Sequence, residues 1–182
     1  MAELKCPHCG QAFTVDDTEL SSIVQQIRDS EFEKDLHKRL AEMQEKAPED
    51  GRLFACVLDM DNLKFINDTY GHSEGDFGIM SISEITKKLA KKNEICVRAG
   101  GDEFYIIGID SYPEHEGKDR CMQLQTILSE LSQQIDKPYP ISASIGCSLG
   151  AVGDFALTEI LEKADQEMYR QKTEHKKQRL SS

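Results

Sequence analysis

The chain has 182 residues, and its 33 acidic residues outnumber its 22 lysines and arginines to give a formal net charge of −11. This length supports one main domain with a short appendage, and the acidic balance excludes a basic footprint for duplex nucleic acid. No apolar run approaches the roughly 20 residues of a membrane span. Six cysteines without a secretory signal indicate reduced thiols, and therefore a cytoplasmic protein rather than a disulfide framework.

A Cys-x-x-Cys pair lies near the start of the chain, within a predicted first segment of residues 1–17. Cys6 and Cys9 form the kind of knuckle that places two thiolates on one zinc ion in a zinc ribbon. A structural zinc site needs four ligands, however, and no second pair follows in the sequence. A zinc ion completed by His8, a zinc ion shared across a dimer and a segment without metal therefore stay open as alternatives.

Residues 18–47 are predicted to form two amphipathic helices, which either link this segment to the main domain or begin that domain. Ser30 and Glu33 have the spacing of a capping box at the start of the second helix, and Pro48 follows its end. Dimerisation and simple packing both stay open as roles for these helices. Residues 48–182 are predicted to be the main domain.

An apolar run over Leu53–Leu58 is typical of a buried central strand, and Asp59 follows it directly. A carboxylate at the carboxyl end of a buried strand is where α/β folds place ligand chemistry. The next segment, residues 64–76, is predicted to be a loop between this strand and a helix. Asp76 is predicted to lie where that helix begins, either as a ligand-binding residue or as a simple N-cap.

Two short apolar segments, Ile95–Ala99 and Phe104–Ile109, are predicted to be the strands of one hairpin. The turn Gly100–Glu103 contains two glycines, which are predicted to supply positive φ angles, followed by two acids. Turn chemistry alone explains the glycines, whereas a divalent cation with phosphate nearby also explains the acids. If the first strand lies beside this hairpin, Asp59 and Asp102 converge, and converging carboxylates repel unless a cation lies between them.

Several motifs together are similar to one known family. The run Asp59–Asp76, followed by Gly100–Phe104, closely resembles the GGDEF family of diguanylate cyclases. Ser144–Gly146 is similar to the family's fourth-strand motif, and Ala164–Lys172 is similar to its last helix. The resemblance covers about residues 52–176, and several motifs in the right order are far more specific than any one of them. The segment that usually opens the family's domain is not recognisable, which leaves the start of the domain open.

The predicted elements follow the order β-α-β-β-α-β-α, with the hairpin inside. After a polar connection over residues 111–119, residues 121–135 carry an apolar helix seam and residues 141–149 alternate as a strand. Residues 157–168 mark the last helix. This order and the resemblance imply an α/β (α+β) fold: a ferredoxin-like nucleotide-cyclase or polymerase palm with a central, mostly antiparallel sheet flanked by helices.

The resemblance also implies the roles of individual residues. The metal ligands would be Asp59, the Met60 carbonyl and Asp102, which would hold two Mg²⁺ or Mn²⁺ ions in each active site. The catalytic residues would be Lys64, Asp102 and Glu103, with the identity of the general base left open. The residues that bind the substrate GTP would be Asn67, His72, Asp76, Gly100, Gly101, Lys172 and Lys176.

Guanine presents two kinds of N–H donor, so a site that binds it needs acceptors, and Asp76 with Asn67 suits that role. Lys172 and Lys176 lie one turn apart, and the family comparison directs them at the triphosphate. Simpler alternatives stay open for several of these residues. Asn67 is also a common turn residue, His72 can be structural, and the lysines belong to a basic segment that can be an ordinary solvated tail.

The implied activity is the condensation of two GTP molecules into cyclic di-GMP and two pyrophosphates. Each protomer would carry one GTP, and the cyclic product needs two attacks by 3′-hydroxyls, so a homodimer would be required for turnover. No nucleic acid or membrane partner is expected. Two alternatives stay open: a non-catalytic receptor for GTP or cyclic di-GMP, and an interaction module built on the N-terminal ribbon and helices. The acids Asp59 and Asp102 favour the enzyme, because a pure receptor does not need metal ligands.

Lys91 and Glu94 mark a departure from the family pattern. Many diguanylate cyclases carry Arg-x-x-Asp at this spacing as an inhibitory site that binds the product. Lysine lacks the planar fork with which arginine clamps a guanine edge or a phosphate in two places. The sequence therefore predicts that feedback inhibition through this site is weak or absent.

Overall fold

The computed structural model describes residues 2–5, 12–15, 34, 36, 38–153 and 157–180, with the backbone alone described for 2–5, 12–15, 176 and 178–180. The chain divides into two compact units, residues 1–45 and 46–182. None of the described helices is both long and apolar enough to cross a lipid bilayer.

The first unit contains a two-stranded antiparallel sheet made by β1 (Ala2–Lys5) and β2 (Ala12–Val15). Residues 38–45 are helical and fall within the second of the two predicted N-terminal helices. Cys6 and Cys9, His8 and the first predicted helix lie outside the described residues. The zinc prediction therefore stays a prediction.

The second unit is built on a four-stranded antiparallel sheet with the strand order β4-β5-β3-β6. Its strands are β3 (Arg52–Met60), β4 (Glu94–Arg98), β5 (Glu103–Asp110) and β6 (Ala143–Ala151). Its helices are α1 (Leu63–Tyr70), α2 (His72–Leu89), α3 (Glu116–Gln134) and α4 (Leu157–Leu180). The predicted α+β fold, with an antiparallel sheet flanked by helices and the hairpin inside, is confirmed.

The two faces of the central strand β3 pack against different helices. Alternate side chains of a strand point to opposite faces, so its even-numbered residues enter one core, which also contains apolar residues of α2 and α3. These residues are Phe54, Cys56, Leu58 and Met60. The opposite face packs against α4, whose Ile160, Ala164 and Met168 are buried. Asp59, an odd-numbered residue, therefore faces α4.

The predicted loop over residues 64–76 is wrong. Leu63–Tyr70 forms α1, and α2 begins at His72, so Asp76 lies one turn inside α2 rather than at its start. The apolar residues of this segment recur at helical spacing, and Ile66 is buried in the core. Gly71 separates the two helices with a φ of 93°, in the left-handed region that favours glycine.

The hairpin turn and the start of α3 also differ from the predictions. Among the described glycines, positive φ occurs at Gly71 and Gly153, so Gly100 and Gly101 do not adopt the predicted left-handed conformation. Four residues separate the two strands, and turns of this length are most often built without left-handed residues at both central positions. Helix α3 begins at Glu116, inside the predicted polar connection, because ion pairs rather than apolar contacts hold its first turn.

Gly146 allows α4 to lie directly against the sheet. A Cβ atom added at this position would overlap the carbonyl oxygen of Ala164 and the amide nitrogen of Met168. Both obstacles are helix backbone, so a flexible side chain cannot relieve the clash. The distance between β6 and α4, and with it the position of every side chain that α4 directs at the sheet, therefore depends on this glycine.

Gly146→Ala is expected to lower the free energy of unfolding by about 3 kcal/mol, at the upper end of the cost of overpacking. Denaturant unfolding followed by circular dichroism measures this change. Gly101→Ala is the matched control, because a Cβ there meets nothing within 4 Å, and it is expected to change the value by less than about 0.5 kcal/mol. Equal stability of the two variants would contradict the packing described here.

Candidate active site

The end of β3 and the hairpin turn bring three acids to one edge of the sheet. Antiparallel pairing places Asp59 directly opposite Glu103. The next residue along, Met60, donates its backbone N–H to the carbonyl oxygen of Asp102 at 3.0 Å. The structure therefore brings Asp59, Asp102 and Glu103 together, and it places the backbone of Met60 beside them.

Asp59 is buried in this cluster and forms an ion pair with the last helix. Its Oδ1 atom lies 2.7 Å from the Nζ atom of Lys172, and the Asp59 side chain is 7% exposed. Burial raises the pKa of Asp59, and the charges of Asp102 and Asp61 raise it further, whereas the hydrogen bond from Lys172 lowers it. The carboxylate is thus held between two like charges and one ammonium group.

The pKa values of Glu103 and Lys172 are raised, as expected in a cluster with excess negative charge. Burial raises the pKa of Glu103, and the charges of Asp59 and Asp102 raise it further. Burial acts to lower the pKa of Lys172, but the hydrogen bond to Asp59 and the charges of Asp59, Asp102 and Asp61 raise it above its usual value. An additional cation at this edge would relieve the repulsion among the acids.

The chemistry of the donor set fits a hard divalent cation. Mg²⁺ prefers oxygen ligands and is usually held by one or two carboxylates together with substrate phosphates. Asp59 and Asp102 offer carboxylates, and Met60 offers a backbone carbonyl at the same edge. In the part of the chain that the structure describes, no three His, Cys, Asp or Glu side chains form a metal-binding cluster. The proposed ligand set therefore depends on the backbone oxygen and on the substrate.

The predicted guanine-binding residues lie at the junction of α1 and α2. The side chain of Asn67 packs against Gly75, because a Cβ added at Gly75 would overlap Asn67 Oδ1. Asp76 is the next residue, so the structure brings Asn67 and Asp76 to the same corner. His72 and Asp76 are both exposed there. Gly75 is therefore a point of close approach between α1 and α2.

Lys64 lies in the first turn of α1 and is exposed. The ammonium group of Lys172 lies on the Asp59 carboxylate. The contact of Lys172 with the triphosphate stays a prediction. The side chain of Lys176 lies outside the described residues. At the hairpin, a Cβ added at Gly101 would meet open space, so the backbone there is accessible to a ligand.

A clamp that the sequence did not reveal holds the first turn of α2. The Glu74 carboxylate accepts hydrogen bonds from Lys137, at 2.7 Å, and from the Tyr139 hydroxyl group. These hydrogen bonds lower the pKa of Glu74. Because His72 and Asp76 flank Glu74 in the same turns of the helix, the clamp sets the position of the predicted guanine-binding corner.

A buried polar network around Asp61 also escaped the sequence reasoning. The Asp61 carboxylate accepts hydrogen bonds from Ser142, at 2.9 Å, and Ser144, at 2.8 Å, and His175 Nδ1 lies 3.4 Å from Asp61 Oδ2. One pattern in the sequence could have predicted it: Asp59 and Asp61, like Ser142 and Ser144, are two positions apart and so share one face of a strand. Pairing of the two strands brings these faces side by side. The network fixes the chain directly after Asp59.

Lys91 and Glu94, which stand where many family members carry the Arg-x-x-Asp motif, belong to a second network of ion pairs. Arg120 forms a two-point ion pair with Glu94, with both N–O distances at 3.0 Å, and also contacts Glu116 at 2.8 Å. Lys91 Nζ lies 2.7 Å from Glu116, and the Tyr112 hydroxyl group donates to Glu94 at 2.9 Å. Both charged groups at the position of the family's inhibitory motif are therefore paired within the fold.

Comparison with known proteins gives consistent results. The sequence profile described as "Diguanylate cyclase, GGDEF domain" matches residues 23–178. The chain is 31% identical over 145 residues to the bifunctional diguanylate cyclase/cyclic di-GMP phosphodiesterase MucR of Pseudomonas aeruginosa, covering 75% of this chain and 20% of that protein. It is 32% identical over 131 residues to the diguanylate cyclase DgcP of Escherichia coli, covering 69% and 37%, respectively. The chain thus spans well under half of these relatives.

Among solved structures, the GGDEF domain of DgcB from Caulobacter crescentus in complex with c-di-GMP superposes with a TM-score of 0.63. The two chains are 26% identical, and the match covers 78% of this chain and 82% of that one. The predicted nucleotide-cyclase palm is therefore confirmed as the fold. The profile match begins at residue 23, within the segment 18–47 that was predicted to hold the linker helices or the start of the domain.

Proposed function

Because the chain belongs to the GGDEF family of diguanylate cyclases, we propose that it condenses two GTP molecules into cyclic di-GMP and two pyrophosphates. The observation that carries the proposal is the strand register that places Asp59 beside Glu103 and Asp102, with Lys172 on Asp59. These are the acids and the lysine that the chemistry requires. The two relatives compared above are named as diguanylate cyclases, which supports the same activity here.

Asp59, the Met60 carbonyl and Asp102 would hold the two Mg²⁺ or Mn²⁺ ions of the site. Bound ions of this kind lower the cost of deprotonating the attacking 3′-hydroxyl and neutralise charge on the leaving pyrophosphate. Asp102 or Glu103 would accept the proton of the 3′-hydroxyl, and their position beside Asp59 supports this role. Burial and the charges of Asp59 and Asp102 raise the pKa of Glu103 above that of an ordinary glutamate, which makes it a stronger base.

The remaining residues bind and orient the nucleotide. Asn67 and Asp76 accept the N–H donors of guanine at the α1–α2 corner, and His72 lies beside them. The backbone of Gly101, where an added Cβ would meet open space, and that of the neighbouring Gly100 would receive phosphate oxygens. Lys172 and Lys176 neutralise the triphosphate, and Lys64 stabilises charge that develops during the attack.

Turnover needs two protomers that face each other, because each supplies one GTP and one attacking hydroxyl. We assign dimerisation to residues 18–47 and catalysis to residues 48–182, and we expect the protein in the cytoplasm.

Cys6 and Cys9 would bind zinc within residues 1–17. Metal analysis of the purified chain tests this last assignment, and a result without zinc at any stoichiometry would remove it.

Incubation of the protein with GTP and Mg²⁺ tests the proposed activity. The expected products, identified by mass spectrometry, are cyclic di-GMP and pyrophosphate in a ratio of one to two. A parallel equilibrium measurement with a non-hydrolysable GTP analogue reports binding separately from turnover. Binding without turnover, under conditions where the protein is dimeric, would replace the enzyme with a receptor for the nucleotide.

Cyclic di-GMP is expected to inhibit the initial rate by less than about twofold at concentrations that saturate the usual product site of the family. The physical reason is that Lys91 and Glu94 are already paired with Glu116 and Arg120, and product binding would have to break these ion pairs, of which that between Glu94 and Arg120 is buried. Initial rates measured over a series of product concentrations check this. Strong inhibition that Lys91→Ala abolishes would show that the site is open to product after all.

A further inference from the structure

We propose that Lys172 is a placeholder cation for the active site. Its ammonium group occupies the Asp59 carboxylate in the metal-free protein and transfers to the phosphates of the nucleotide when a divalent cation binds. The inference rests on the proposed function, because it takes Asp59 as a metal ligand. It concerns how the metal and the nucleotide depend on each other, which the activity itself does not determine.

The first step of the argument is the position of Asp59. Its side chain is 7% exposed and lies opposite Glu103 with Asp102 adjacent, so the carboxylate has little access to water and faces like charges. A buried carboxylate without a compensating cation is strongly unfavourable. Lys172 Nζ, at 2.7 Å from Oδ1, supplies this compensation. A cation is therefore needed at this position before any metal arrives.

The second step is that the ammonium group and a metal ion exclude each other. Mg²⁺ binds carboxylate oxygen at about 2.1 Å and requires near-ideal geometry. The Asp59 oxygen that carries the ammonium group cannot accept the ion in the same orientation, and the two cations would repel at this separation. A metal ion that binds at Oδ1 would therefore move Lys172 away from Asp59.

The third step is that the side chain can move while the helix stays in place. Helix α4 is anchored before Lys172 by the close contact of Met168 with Gly146, and after it by the contact of His175 with Asp61 at 3.4 Å. The Lys172 side chain is 30% exposed and has four flexible carbons, so its end can swing toward solvent. The exchange thus needs a rotamer change and no helix displacement.

The consequence is a coupling between metal and nucleotide. Metal that binds alone breaks the Lys172–Asp59 ion pair without replacement, so its affinity is reduced. When the triphosphate is present, the released ammonium group finds phosphate oxygens, and the loss is offset. Metal and nucleotide therefore increase each other's affinity by the same factor. The arrangement disfavours metal in the empty site and favours the metal–GTP complex.

Lys172→Met tests the exchange, because it keeps an unbranched apolar side chain but removes the charge. Mn²⁺ titration of the 182-residue chain without nucleotide, followed by calorimetry, is expected to give about 10- to 100-fold tighter binding than wild type, the worth of one charge-assisted hydrogen bond. Arg170→Met is the matched control. It removes the same charge from the exposed side of the same helix, where Arg170 pairs with Glu167 and Glu174, and it is expected to leave Mn²⁺ affinity within about twofold.

A second readout uses the wild-type chain and does not depend on the variant. Brief reductive methylation followed by mass spectrometry measures the reactivity of each lysine. Mn²⁺ is expected to raise the reactivity of Lys172. The reactivity of Lys137, which pairs with Glu74 and not with Asp59, is expected to stay unchanged. Release of the ammonium group from the buried Asp59 carboxylate toward solvent would produce this increase.

Two results would overturn the placeholder: Mn²⁺ affinity of Lys172→Met no tighter than that of Arg170→Met, or Lys172 reactivity that Mn²⁺ does not change. Either result in a protein that makes cyclic di-GMP rejects the exchange and leaves the proposed function standing. Mn²⁺ binding that persists unchanged in Asp59→Asn would instead reject Asp59 as a metal ligand, and the exchange with it.

Discussion

Asp102→Asn is expected to lower the rate of cyclic di-GMP synthesis by about a thousandfold. Asparagine keeps the size of the side chain but removes the charge that a metal ligand or general base needs, and metal stabilisation of the transition state is worth several kcal/mol. Asp102 is only half-buried, so the fold should tolerate the change. Single-turnover and steady-state rates, measured with saturating GTP and Mg²⁺, report the loss.

Asp119→Asn is the matched control for this variant. It removes a carboxylate of the same size from the exposed side of α3, where Asp119 lies 3.5 Å from His115, and turnover should stay within about twofold of wild type. Asp102→Glu should recover much of the activity, because it restores the charge. An Asp102→Asn protein that retains more than about a tenth of wild-type turnover would remove Asp102 from the metal site.

Arg120→Met is expected to lower the free energy of unfolding by about 3–5 kcal/mol, the cost of removing one partner from a buried ion pair. The Arg120 side chain is 3% exposed and that of its partner Glu94 is fully buried. Without the guanidinium group, Glu94 and Glu116 would face each other with Lys91 as their remaining cation. Denaturant unfolding at neutral pH measures the change.

Two comparisons separate this effect from a general loss of charge. Arg170→Met also removes an arginine with two glutamate partners, but its side chain is 58% exposed, so the expected loss is below about 1 kcal/mol. The double variant Arg120→Met, Glu94→Leu should recover part of the lost stability, because replacing both partners of a buried pair is often nearly neutral. A loss for Arg120→Met as small as that for Arg170→Met would show that the network contributes little.

The sequence was sufficient for the sheet and for the neighbourhood of Asp59 and Asp102. Continuous apolar runs identify buried strands, and a hairpin beside a central strand leaves little choice for where the acids lie. The prediction for residues 64–76 was wrong, because polar motif residues and glycines suggested a loop where two helices form. The burial of Ile66 and the helical spacing of its apolar neighbours decided the local structure instead.

The interactions that could not be predicted join residues far apart in the chain. Lys172 and Asp59 are separated by 113 positions, and only the packing of α4 on β3 and β6 brings them together. Arg120 and Glu94 are 26 positions apart, and each alone has the pattern of an exposed surface charge. Periodicity detects apolar faces, whereas buried ion pairs leave no periodic signal. The first turn of α3 was missed for this reason.

The central claim is that two facing copies of this site condense two GTP molecules. The most direct test is the initial rate of cyclic di-GMP formation per protomer, measured across a series of protein concentrations at which analytical ultracentrifugation gives the dimer fraction. The rate per protomer is expected to rise in parallel with the dimer fraction. A constant rate per protomer while the chain is monomeric, or no cyclic di-GMP where the dimer predominates, would contradict the account.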